Sequence, residues 1–237
     1  MSPTLETATA VSQTAVIRSR LAQARRERFI NQFARLTQFV TWPALWVVIN
    51  TLFRLDIHNR QSFSRARQPF IIISNHISFY DCFLYRLVLG AFTPHLPLRF
   101  MAVRKFNWKF LNFLASIGLI DFIYSLFGVF TVVPGRGVGR NLREALDILN
   151  VGGNVVIYPE GKITVEGRVG EFKKGAAVLA RQTGVQVVPV SFRDWGGFWR
   201  RKIVVHVGEP MTAEPSRSIA DITHSFHRAV SDLYDAK

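Results

Sequence analysis

Residues 70–81 read Phe-Ile-Ile-Ile-Ser-Asn-His-Ile-Ser-Phe-Tyr-Asp. Four large apolar residues in a row, three of them β-branched, are the pattern of a strand buried on both faces. His76 falls just beyond the end of that strand, where α/β proteins place functional groups. Ser78 is read as the N-cap of the helix that follows, which puts Asp81 at its third position. From there the Asp81 carboxylate can turn back to the His76 ring and fix its tautomer. The other ring nitrogen is then left to accept a proton from an alcohol. A plainer reading stands beside this one: Ser78 and Asp81 form an ordinary capping box and His76 is a loop residue. Spacing alone does not choose between them.

Outward from this segment the chain alternates. Phe70–Ser74, Leu98–Val103, Val129–Val133, Asn154–Tyr158, Gln186–Phe192 and Lys202–Val207 read as strands, several of them continuous apolar runs. Between and after them lie amphipathic helical patterns. Leu142, Ala145, Leu146 and Leu149 share one face, as do Ile219, Ile222, Phe226, Val230 and Leu233. Strand and helix in alternation predict an α/β fold with a mostly parallel central sheet flanked by helices.

The N-terminal part differs in kind. Residues 1–16 are rich in Ser, Thr and Ala and are expected to be a disordered tail. Residues 17–36 carry Arg18, Arg20, Arg25, Arg26, Arg28 and Arg35 among Ile17, Leu21, Phe29, Phe33 and Leu36, a basic amphipathic helix suited to an anionic membrane. A solvated helix packed on its own domain is the alternative. Phe39 to Phe53 is uncharged and about 15 residues long, short of the ~20 a spanning helix needs. An interfacial segment fits it, with Trp42 and Trp46 at headgroup depth and Pro43 bending the helix or marking its start. Phe110 to Val133 holds one charge, Asp121, and is read as a membrane-facing helix followed by a buried strand. The organisation expected is thus a tail (1–16), a membrane-associating segment (17–60) and a main domain (61–237).

Composition narrows the partners. The 237 residues carry a formal charge of +14, with 49% hydrophobic residues, twenty Phe and five Trp. Such a charge needs an anionic partner. Coupled to so many aromatic and aliphatic residues it favours lipid over nucleic acid. The single cysteine, Cys82, rules out an internal disulfide and a Cys-rich metal site. No signal-peptide layout is visible, so synthesis and retention on the cytoplasmic side are expected.

Three further blocks accompany Asn75-His76 and Asp81. They are Val155-Val156-Ile157-Tyr158-Pro159-Glu160-Gly161, then Phe172-Lys173-Lys174-Gly175, then Val187-Val188-Pro189-Val190. In this order and at these distances they resemble the glycerolipid acyltransferase family typified by lysophosphatidic acid acyltransferases. That family shows Asn-His-x4-Asp, a Gly-led block closing on an Arg, Phe-Pro-Glu-Gly, and an apolar strand with Pro. The resemblance covers roughly residues 68–210. It implies that His76 is the general base and Asp81 its partner, and that Glu160 and Gly161 help bind the acceptor and complete the site. Gly128 to Arg136 stands in the place of the second block, whose Arg is linked to the acceptor phosphate. Arg136 lies beyond Pro134-Gly135, so Arg140 or Arg143 are alternatives. After Glu160-Gly161 the family run is Thr-Arg-Ser, whereas this chain has Lys162-Ile163-Thr164. Lys162 supplies a positive charge one position earlier, as a point charge rather than a fork. The Glu-Gly-Lys form also resembles the tafazzin-like transacylase branch.

The expected activity is transfer of a fatty acyl group from an acyl thioester to the free hydroxyl of lysophosphatidic acid or a related lysophospholipid. The donor is left open between acyl-CoA and acyl-carrier protein. Arg136, Lys162 and Lys173 would hold the acceptor phosphate. No metal or redox cofactor is expected, and no G-x-S-x-G nucleophile elbow is present. The protein would sit on membrane lipids, peripheral or monotopic, at the cytoplasmic face. A non-catalytic basic membrane or nucleic-acid binding module is the rival of another class. Residues 134–140 (PGRGVGR) suggest a phosphate loop or a turn before a helix. Residues 194–202 (DWGGFWRRK) suggest a headgroup-seeking loop or a hairpin tip. His58, His95, His206, His224 and His227 are read as structural or surface residues, and Cys82 as a small buried hydrophobe.

Overall fold

The protein is described here by a computed structural model, which defines residues 3–78, 80–103, 116–132, 138–163, 167–196 and 200–236. Two helices lead, α1 (Pro3–Val40) and α2 (Trp42–Leu52). They are followed by β1 (Phe53–His58), α3 (Ser62–Arg65), β2 (Phe70–Ser74), α4 (Asp81–Leu89) and β3 (Leu98–Val103). Next come α5 (Leu119–Leu126), β4 (Val129–Val132), α6 (Val138–Asn150) and β5 (Asn154–Ile157). The chain closes with α7 (Gly175–Thr183), β6 (Gln186–Asp194), β7 (Arg201–Val207) and α8 (Ile219–Asp235).

The strands form one seven-stranded sheet in the order β1-β7-β6-β2-β5-β3-β4. Every neighbouring pair is parallel except β6 and β7, which form an antiparallel hairpin. The expected α/β fold with a mostly parallel sheet is therefore observed. Phe70 and Ile72 of β2 pack into one core with Leu84, Tyr85 and Val88 of α4. Ile71 and Ile73 point the opposite way, into a second core with Leu142, Ala177, Leu179 and Phe226. A central strand with helices on both sides has no solvent face, which is why residues 70–73 do not alternate.

Two details differ from expectation. The backbone of α1 is helical back to Pro3, within the stretch read as a tail. Strand β1 pairs in parallel with β7 from Phe53↔Arg201 to His58↔His206, so the sheet begins before residue 61. Its Arg54, Asp56 and His58 mask it as a strand, since an edge strand next to solvent tolerates charge where a central one does not. Of the apolar run 110–133, residues 116–132, which include α5 and β4, are described; residues 110–115 and 133 lie outside the described residues.

α1 meets the body of the protein through polar side chains. Arg99 of β3 is buried and donates to Asn31 Oδ1 at 2.7 Å and to Glu27 Oε2 at 3.3 Å. The Gln38 amide bridges Leu98 N, Leu98 O and Phe127 O. With the inward face polar, the apolar residues turn outward. Ile17, Leu21, Phe29, Phe33, Leu36, Phe39 and Val40 of α1 are exposed, as are Trp46, Val47, Val48 and Leu52 of α2. Ile117, Leu119 and Phe122, at the start of and along α5, add to the exposed apolar residues. Among the described residues no helix is long and apolar enough to cross a membrane.

Candidate active site

The register of β2 and β5 builds the site. Ile73 lies opposite Ile157 in parallel pairing, so the residues that leave the two strands emerge side by side at the same sheet edge. Asn75 fastens the exit of β2: its amide donates to Phe192 O and accepts from Phe192 N, both at 2.8 Å. The next residue, His76, is thus set on a rigid stub.

His76 Nδ1 is 2.8 Å from Asp81 Oδ2. The same carboxylate oxygen accepts from the backbone N–H of Ile77 at 2.9 Å and of Ser78 at 3.1 Å. Asp81 is fully buried, and that burial raises its carboxyl above the ordinary carboxylate range, while the bond to His76 opposes the shift. With Nδ1 engaged by the carboxylate, Nε2 is the nitrogen left to exchange a proton with another molecule. One expectation needs correcting. The N-cap of α4 is Tyr80, not Ser78, and Asp81 is the first helical residue. The Asp81 carboxylate takes the Ser78 N–H as half a capping box would, so the two readings of this segment are satisfied by one side chain.

At the exit of β5, Tyr158 to Gly161 form a tight turn in which Gly161 N donates to Tyr158 O at 3.0 Å. Pro159 occupies the position that favours its fixed φ, and Gly161 the left-handed position, at φ +67°. The turn carries Tyr158 onto His76: the two rings stack with centroids 4.2 Å apart and planes 19° from parallel. Lys173 is held to the same turn through its N–H on Pro159 O at 2.9 Å.

A cavity of about 1190 Å³ opens beside His76. His76, Tyr158, Gly161, Lys162 and Lys173 line its polar end, and Leu98, Phe100, Ile123, Phe127 and Leu142 are among its apolar walls. The structure thus brings four of the residues expected from the sequence, His76, Gly161, Lys162 and Lys173, to one cavity. Asp81 supports that cavity from behind. Glu160 is buried and does not line it, because the turn that exposes Gly161 tucks the preceding side chain inward. Arg136 lies outside the described residues, as do Pro134, Gly135 and Gly137; the side chain of Arg140 is likewise undescribed. Arg143 is exposed and does not line the cavity.

Two further residues escaped the sequence reading. Arg86 lines the cavity yet is nearly closed to solvent, and desolvation lowers it to about 10. Its guanidinium donates to Gln38 O, Gly90 O and Ala91 O, tying the C-terminal ends of α1 and α4 together. Tyr158 was visible only as part of a block. Cys82 also lines the cavity, its thiol pushed up to about 12 by burial. Three of the other five histidines have polar partners: His95 with Gln68 at 2.7 Å, His206 with Leu233 O at 2.8 Å and His58 with Asp56 at 3.1 Å. Trp195, just after β6, is exposed; Gly197, Phe198 and Trp199 lie outside the described residues.

A strand-exit imidazole backed by a buried carboxylate thus stands beside a cavity with mostly apolar walls whose lining also carries Arg86, Lys162, Lys173 and Lys174. Comparison with known proteins agrees in family. The model of the family described as Acyltransferase matches residues 54–193, more than half of the chain. The chain belongs to this acyltransferase family. A chloroplastic 1-acyl-sn-glycerol-3-phosphate acyltransferase of Arabidopsis thaliana is 28% identical over 156 residues, covering 64% of this chain and 40% of its own length. The beta form of that acyltransferase in Homo sapiens is 29% identical over 199 residues, covering 76% of this chain and 65% of the relative. The chain therefore spans well under the full length of these relatives. The fold is also that of the crystal structure of the 1-acyl-sn-glycerophosphate (LPA) acyltransferase PlsC from Thermotoga maritima. The TM-score is 0.53 at 23% identity, covering 92% of this chain and 83% of that one.

Proposed function

We propose that this protein transfers a fatty acyl group from an acyl thioester to the free hydroxyl of lysophosphatidic acid or a closely related lysophospholipid. The observation that carries the reading is the 2.8 Å contact between His76 Nδ1 and the buried Asp81, beside a largely apolar cavity. The names of the relatives support the acceptor: those quoted act on 1-acyl-sn-glycerol-3-phosphate.

In the mechanism, His76 Nε2 takes the proton as the acceptor oxygen attacks the thioester carbon. The C–O bond forms and the carbonyl electrons move onto oxygen. The tetrahedral intermediate then collapses, the C–S bond breaks, and the imidazolium returns its proton to the leaving thiolate. Asp81 stabilises the imidazolium between these two steps. Lys162 and Lys173 hold the acceptor phosphate at the cavity mouth, and Arg136 is assigned to the same task. Glu160 contributes by shaping the turn rather than by touching the acceptor. Neither a metal nor a redox cofactor enters this scheme.

The protein works at a membrane surface in this reading. The outward apolar faces of α1, α2 and α5 suit insertion to headgroup depth, and the arginines of α1 suit anionic lipid. The cytoplasmic leaflet is the proposed side. The test is product analysis by mass spectrometry, with purified protein on vesicles containing lysophosphatidic acid. Acyl-CoA, acyl-carrier protein and an intact phospholipid are offered in turn as donors. Phosphatidic acid formed from a thioester, and abolished by His76→Ala, supports the proposal. Transfer from the phospholipid alone would replace it with a transacylase, and unchanged transfer by His76→Ala rejects it.

A further inference from the structure

Tyr158 stands closer to the candidate base than any requirement of the fold explains. The backbone turn it begins is satisfied without its side chain, through Gly161 N on Tyr158 O and Lys173 N on Pro159 O. Its ring nevertheless lies flat against the His76 imidazole, at 4.2 Å and 19°. Its hydroxyl is buried and has no hydrogen-bond partner among the described residues, and burial raises the phenol well above its ordinary range. A buried phenol without a partner is unfavourable compared with a phenyl ring of the same shape. The feature this position exploits is therefore the ring face and not the hydroxyl.

The face of an aromatic ring is negative and attracts a cation seated over it within about 6 Å. A neutral imidazole gains little from that arrangement, and an imidazolium gains more. We infer that Tyr158 is a positioning residue whose ring face stabilises the positive charge His76 acquires during acyl transfer, so that the imidazole is held at its edge by Asp81 and on its face by Tyr158. This rests on the proposed role of His76 as base. The titratable groups around the pair are Asp81, Cys82 and Tyr85 from α4, with Arg86, Lys162, Lys173 and Lys174 along the same cavity. Asp81 favours the cation, and the three lysines and Arg86 oppose it. The ring adds its attraction at a face of the imidazole, while the carboxylate sits at its Nδ1 edge.

The experiment varies the electron density of the ring and keeps its shape. Tyr158→Phe is compared with versions carrying mono-, tri- and pentafluorinated phenylalanine at this position, all assayed on lysophosphatidic acid vesicles. Tyr158→Phe is expected to keep kcat within about twofold, since it retains the ring face. Along the fluorinated series kcat is expected to fall stepwise, by about fivefold in all, with KM unchanged. The acid limb of kcat/KM against pH is expected to move to lower pH, because a less stabilised imidazolium releases its proton more readily. Tyr158→Leu, which removes the face, should match the end of the series. A kcat and an acid limb that do not respond to fluorination overturn the inference, as does a Tyr158→Phe protein as impaired as Tyr158→Leu. His76→Ala is run alongside: full activity there removes the proposed function itself. An inactive His76→Ala with a flat fluorine series removes only the role given to Tyr158.

Discussion

Arg99 of β3 and Glu27 of α1 are paired at 3.3 Å with side chains 1% and 0% exposed. Desolvation lowers the arginine from its ordinary value, so the guanidinium depends on Glu27 and Asn31 to offset the loss of water. The pair belongs to the seam that fastens the N-terminal helix to the sheet. Breaking one partner leaves the other as an uncompensated buried charge, at a cost of about 3–5 kcal/mol. Glu27→Ala is therefore expected to lower the unfolding free energy measured in urea by that amount, whereas the double substitution Glu27→Leu with Arg99→Met recovers most of it. Equal losses in the single and double variants would reject the pairing as the reason.

Asp81 carries an opposite relation between stability and role. Its carboxyl is raised above the ordinary value of 3.8, first of all by burial. A group raised in the folded state stabilises the fold below its unfolded pKa and loses that contribution as pH rises through the folded value. Asp81→Asn does not titrate. The melting temperature of Asp81→Asn minus that of the native protein should thus climb as pH increases from about 4 to about 7. Acyl transfer by the same variant should fall by at least about a hundredfold, since the imidazole loses its orienting charge. A melting difference that shrinks over this range contradicts the assigned shift.

Gly161 joins the turn to the cavity. Its φ of +67° favours glycine, and a Cβ added there would run into the Lys173 side chain. Gly161→Ala is expected to cost about 1 kcal/mol in stability from the left-handed backbone. It should also displace Lys173 and raise KM for a phosphate-bearing acceptor severalfold. Steady-state kinetics with lysophosphatidic acid check this; an unchanged KM would show that Lys173 does not touch the acceptor.

Phe29 and Phe33 stand on the outward face of α1, 65% and 44% exposed, with rings 6.0 Å apart. Burying each in a bilayer contributes about 1.5–3 kcal/mol. Replacing both with Glu should reduce vesicle partitioning by at least about a hundredfold in sedimentation assays. The melting temperature in detergent should stay within a few degrees, because neither ring packs inside the protein.

Much of this molecule can be read without coordinates. The unbroken apolar run of residues 70–73, the alternation of strand and helix, and the block order from Asn75 to Pro189 determine an α/β fold of this family. They do so because a strand covered on both faces must be apolar throughout. The pairing of His76 with Asp81 is local, five residues across one helix start, so the spacing offers it, but the spacing does not choose between it and a plain capping box; the bond at 2.8 Å does. Other features rest on contacts that chain separation hides. Strand β1 is charged because it lies at the sheet edge, and only its neighbour β7 reveals it. The amphipathic pattern of α1 shows two faces but not which one turns inward; Arg99, more than sixty residues on, settles that with Glu27 and Asn31. Glu160 and Gly161 are adjacent in sequence, yet a left-handed glycine sends one into the protein and leaves the other on the cavity wall. The stack of Tyr158 on His76 has the same origin. Parallel pairing of β2 with β5 brings together residues 82 positions apart, and no local pattern encodes which strand will be the neighbour.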